Sequence, residues 1–123
     1  MQTYVILVNL VLILTIPMVI IHVVIALISL RCLIVPRLIG LPIAIYESIY
    51  YMVLLAYVLL SHYGAALLGI TALFLVIHVG GAYLYVNGAL SYLSRNRSNI
   101  RYYGYYEVAE LIFIIMVAAL LIH

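Results

Sequence analysis

The side chains best suited to acid–base or ligand chemistry are three carboxylates, Glu47, Glu107 and Glu110, and four imidazoles, His22, His62, His78 and His123. Glu107 and Glu110 are three residues apart, which puts them on one face of a helix and allows a carboxylate ion site. Ionisable groups within a membrane are costly and by default functional. The plainer reading sets Glu47, Glu107 and Glu110 close to an arginine-bearing interface. There they would pair with Arg37 or Arg101 and, for the last two, complement the dipole of a helix starting near Tyr106. His22 and His78 fall inside hydrophobic spans, His62 and His123 at their ends. No histidine pair has the short helical spacing of a zinc site, and neither cysteine nor carboxylate accompanies one closely in sequence. A pair on facing helices could ligate a b-type haem, against the plainer reading of hydrogen-bonded structural histidines. The sequence therefore leads to an expectation of no metal, no cofactor other than bound lipid, and no enzymatic activity, since nucleophile–base constellations and Gly-rich phosphate loops are absent.

What must position these groups is set by composition. Of 123 residues, 71% are hydrophobic and 7% charged. That surface could not be kept in water, so the solvent is lipid and the expected fold is all-α and membrane-integral. All five basic residues are arginine, too few for a general nucleic-acid-binding face. The lone Cys32 excludes an internal disulfide. Met1-Gln2-Thr3 lacks a basic leader region, and the apolar run after it is too long for the core of a cleaved signal, so a retained first helix is expected. Richness in Tyr, Ile and Val, with Arg in place of Lys, suits a heat-adapted, hyperthermophile source.

One membrane domain over residues 1–123 is expected, with about four hydrophobic helices in antiparallel hairpins, near 4–34, 42–60, 65–93 and 106–123. Each exceeds or approaches the roughly 20 residues needed to cross the hydrocarbon. Pro36, Gly40 and Pro42 make the first turn, and Ser61-His62-Tyr63-Gly64 the second. Ala65, Gly69, Ala72 and Gly80 recur at near-helical spacing on the third span, a small-residue stripe expected to pack helices closely. The polar run Ser94–Arg101 and the cluster Tyr102, Tyr103, Tyr105 and Tyr106 follow, at a depth suited to headgroups.

With four spans, Arg31, Arg37, Arg95, Arg97 and Arg101 all fall on one side, which the positive-inside bias makes cytoplasmic. The sequon Asn96-Arg97-Ser98 is then internal and unglycosylated. The arginines outnumber the carboxylates, and guanidinium matches phosphate geometry, so these five are expected to hold lipid phosphate.

The long apolar helices, the stripe Ala65, Gly69, Ala72 and Gly80, and the one-sided arginine loops together resemble the small pilins of conjugation and of archaeal DNA-import pili. That resemblance is one of organisation; familiar bacterial members are shorter, with two main helices and a removed leader. It implies a self-assembling subunit stored in the membrane and extracted with lipid into a helical pilus. Its arginines would face the lumen, with DNA as a passing cargo. Two other readings stand beside it: an accessory subunit of a respiratory or transport complex, and a small transporter or channel. The last gains weight if Glu47 and the apposed histidines are buried together.

Overall fold

The computed structural model describes residues 1–88 and 97–122, and over these the chain is helical, with no strand. The helices are α1 (Gln2–Leu30), α2 (Arg37–Ser61), α3 (Ala65–Asn87) and α4 (Arg97–Ile122). At 29, 25, 23 and 26 residues, each is long enough to cross a bilayer. Their outward faces carry Ile13, Ile16, Ile20, Leu73, Val76 and Ile112, all exposed, while every glutamate is buried. That inverted distribution is what lipid as solvent selects, and the chain is a multi-pass membrane protein.

Both ends of the first loop have local causes. The N–H of Cys32 donates to Ser29 O at 2.9 Å and that of Leu33 to Ile28 O at 3.1 Å, with Cys32 at φ 58°. This paired closure around a left-handed residue ends α1 at Leu30, four residues before the expected end. Pro36 then accepts from Ile39 N and Gly40 N at 3.0 and 2.8 Å. A helical turn thus closes ahead of Pro42, so α2 starts at Arg37 and Pro42 lies inside it. His62 at φ 58° and Gly64 at φ 108° turn the chain into α3. The expected extension of α3 to Leu93 runs into the residues outside those described. The largest revision is α4, which begins at Arg97, not Tyr106; Tyr102, Tyr103 and Tyr105 belong to the helix and not to a loop.

α1 packs against α4 and α2, and α2 against α3, giving a lateral order α4–α1–α2–α3. α4 approaches the end of α1 closely at Gly104. A Cβ there would lie 2.9 Å from the backbone nitrogen of Leu30, so only glycine lets α4 meet the end of α1. The stripe on α3 does not serve this purpose within the chain. Nothing lies within 4 Å of a Cβ built at Gly69 or Gly80, Ala65 is exposed and Ala72 half-buried. α3 and α4 are bridged by large rings: Phe74 to Phe113 at 5.0 Å between centroids and Phe74 to Tyr106 at 6.2 Å. Beneath them Val11, Met18, Tyr50, Leu54, Ile114 and Val117 form the buried core.

Candidate cation site

Each helix sends at least one ionisable side chain into a common interior point: His22 from α1, Glu47 from α2, His78 from α3, Glu107 and Glu110 from α4. At a rise of 1.5 Å per residue, all five lie about 12–20 Å from the end where α1 and α3 finish and α2 and α4 begin. They share one depth, well inside the hydrocarbon. Relative exposure is 0% for His22, Glu107 and Glu110, 5% for Glu47 and 6% for His78.

The two imidazoles face the carboxylates through Nε2. His22 Nε2 is 3.1 Å from Glu110 Oε2, 3.5 Å from Glu107 Oε2 and 3.7 Å from Glu47 Oε1. His78 Nε2 is 2.9 Å from Glu110 Oε1 and 3.3 Å from Glu47 Oε2. Glu47 and Glu110 each span both histidines with their two oxygens, while Glu107 stands on the His22 side. The other ring nitrogens are committed to the backbone: His22 Nδ1 donates to Met18 O at 2.8 Å, and His78 Nδ1 to Phe74 O at 2.7 Å. A carbonyl only accepts, so both Nδ1 atoms carry hydrogen, and each Nε2 is left facing the carboxylates, as a lone pair in the neutral ring or as an N–H donor in the protonated one.

Tyr51 fixes two members of the set. Its hydroxyl donates to Glu110 Oε1 at 2.7 Å, and its ring stacks on His78 at 4.8 Å between centroids. In spite of the crowding, His22 Nε2, Glu47 Oε1, Glu110 Oε2 and both oxygens of Glu107 make no well-aligned hydrogen bond. With neutral histidines the group carries three negative charges. An ionised side chain at bilayer depth costs about 3 kcal/mol on insertion scales, so three are comparable with the roughly 5–15 kcal/mol stability of a whole domain. Protons or a bound cation at this point would offset that cost.

Polar groups flank the site on both sides. Toward the α1–α2 loop, a narrow cleft lined by Val35, Gly40, Ile43, Tyr85 and Tyr103 reaches Glu47. Gly40 makes room for Tyr85, whose hydroxyl would lie 2.7 Å from a Cβ at that position. Toward the α2–α3 turn, Tyr50 meets Thr15 at 2.9 Å, and Tyr57 lies 3.2 Å from both Tyr4 and Tyr63.

Glu47, Glu107 and Glu110, expected to pair with Arg37 or Arg101, face the histidines, and Arg101 is exposed away from them. Among the described residues, the carboxylates' ion-pair partners are His22 and His78. The reason is the helix starts: α2 and α4 begin five and nine residues ahead of Pro42 and Tyr106, which carries the glutamates well below the interface. Arg31 and Arg101 are exposed, and Arg101 Nη2 is 3.8 Å from Cys32 Sγ. Arg95 lies outside the described residues, as do the side chains of Arg37 and Arg97. The sequence offered a histidine pair on facing helices and the joint burial of Glu47 with the histidines as open readings; what it lacked was the similar depth of all five groups, which emerges only with the correct helix ends. The chain matches no protein-family model, no curated protein and no solved structure.

Proposed function

We propose that the chain is a small membrane-embedded cation-handling protein, a transporter or channel unit whose centre is His22, Glu47, His78, Glu107 and Glu110. The observation that carries this is their joint burial, one group or more from each of four helices, in an assembly whose exterior is apolar. Buried and close-set carboxylates with facing imidazoles attract positive charge, and the cleft to Glu47 supplies an approach from one face. The hydroxyls of Tyr50, Thr15 and Tyr57 continue polar character on the other side. The test is cation movement into proteoliposomes containing only this chain, read by entrapped pH-sensitive and metal-sensitive dyes. Movement above lipid-only vesicles, lost in Glu110→Gln, supports the reading; vesicles tight to protons and to metal ions alike contradict it.

The self-assembling, pilin-like reading keeps one observation of its own. Ala65, Gly69 and Gly80 turn an open, exposed face outward on α3, where a neighbouring helix could approach closely. In that reading Arg31 and Arg101 meet lipid phosphate and DNA passes through a pilus lumen. Filaments on expressing cells, with near-stoichiometric phospholipid after purification, would favour it. Co-purification with redox subunits would instead favour an accessory role.

A further inference from the structure

We infer that the interior site binds one divalent first-row transition-metal ion, with His22 Nε2, His78 Nε2 and the Glu110 carboxylate as ligands and Glu47 completing the set. This rests on the cation-handling reading and names its substrate class.

Four observations converge on a metal ion. One donor atom each from His22, His78 and Glu110 lies within 4.8 Å of the others. Donors held tetrahedrally at about 2.1 Å from one ion are about 3.4 Å apart, and the distances from Nε2 to the facing oxygens of Glu47 and Glu110 run from 2.9 to 3.7 Å. Both Nδ1–H groups are bonded to main-chain carbonyls, which fixes each ring's tautomer and aim as in histidines that ligate metals. Glu110 is held in turn by Tyr51.

The fourth observation favours a metal ion over protons alone. His22 Nε2 stands 3.1 Å from Glu110 Oε2, yet the two make no well-aligned hydrogen bond. A proton on that nitrogen would need an acceptor nearly in line with the N–H, and this direction misses. An ion asks for something different: lone pairs that converge on a common point from several directions. Glu47 Oε1 shares this condition, buried and without a well-aligned partner. A 2+ ion also cancels the charges of Glu47 and Glu110, leaving that of Glu107 alone in place of three. Mixed imidazole and carboxylate donors without sulfur suit Zn²⁺, Fe²⁺ or Co²⁺ better than Ca²⁺, which takes oxygen only, or Cu⁺, which prefers thiolate and thioether.

The test uses the full chain purified in detergent, stripped with chelator and titrated with Co²⁺, whose visible absorption reports coordination. One Co²⁺ per chain is expected, displaced by Zn²⁺. His22→Gln, His78→Gln and Glu110→Gln should each weaken binding more than tenfold, while His62→Gln leaves it unchanged. Zn²⁺ X-ray absorption on the wild-type protein gives a readout independent of whether a variant folds. Two imidazoles and carboxylate oxygen at about 2.0–2.2 Å support the assignment, and a sulfur shell near 2.3 Å would move the ion to Cys32 and overturn it. Absence of stoichiometric binding, or binding indifferent to all three variants, also overturns it. Proton movement into vesicles without metal binding would sink the metal assignment and spare cation handling. Metal binding without movement of any cation would do the opposite.

Discussion

His78 on α3 and Glu110 on α4 are joined at 2.9 Å across the two helices at opposite ends of the lateral order, so this pair and the rings above it close the bundle. The same Glu110 reaches His22 on α1 at 3.1 Å with its other oxygen. One side chain thereby ties three helices together, and the function and stability of the chain meet at that carboxylate.

Tyr51 is predicted to be a positioning residue. Tyr51→Phe keeps the ring against His78 and deletes the donor to Glu110 Oε1. Co²⁺ affinity should fall about tenfold, as for outer partners of metal ligands, and unfolding in micelles should become easier by about 1–3 kcal/mol. Unchanged affinity would show that the carboxylate is held without it.

Within the single chain, glycine substitutions should cost stability at Gly104 and not at Gly69 or Gly80. Gly104→Ala drives a Cβ toward the Leu30 backbone and should destabilise α1–α4 packing by about 1–3 kcal/mol. Gly69→Ala and Gly80→Ala enter open space, and their gain in helix propensity is about 1 kcal/mol or less. Thermal unfolding of the three variants in one detergent checks the order. Loss of stability at Gly69 or Gly80 alone would show that the α3 face is covered in the native assembly.

That the stripe lies outside the bundle has a physical reason. In water an apolar face points inward, but in lipid both faces of a helix are apolar, so spacing of Ala65, Gly69, Ala72 and Gly80 cannot distinguish core from exterior. The four spans themselves were legible from hydrophobic length and from the breaks at Pro36 and Gly64. The site was not. Its members lie on different helices, and their alignment depends on α2 starting at Arg37 and α4 at Arg97, where prolines and tyrosines suggested later starts. Gly104 was hidden for the same reason, since it sits among tyrosines that read as an interfacial loop.

Binding should strengthen as pH rises. An ion can coordinate His22, His78, Glu47 and Glu110 only when the lone pairs are free of protons, so uptake releases protons. Co²⁺ affinity measured at pH 6 should therefore be lower than at pH 8, with acidification of an unbuffered solution on metal addition. Affinity that is flat across this range would mean that other groups hold the ion.

Access is predicted to run through the cleft beside Tyr85. Tyr85→Ala removes a wall of the passage to Glu47 without touching the proposed ligands. Stopped-flow mixing with Co²⁺ should show association at least threefold faster, with dissociation accelerated alike and equilibrium affinity within about twofold. Unaltered rates would place the entrance elsewhere.

The claim that the buried histidines and glutamates act as one centre is tested most directly by a double-mutant cycle on Co²⁺ binding with His78→Gln, Glu110→Gln and the pair. Residues that share one ion should be strongly non-additive: the double variant is predicted to bind little worse than the weaker single one, a coupling of at least tenfold, or about 1.4 kcal/mol. Losses that simply multiply would mean that His78 and Glu110 contribute independently, and would contradict a single site.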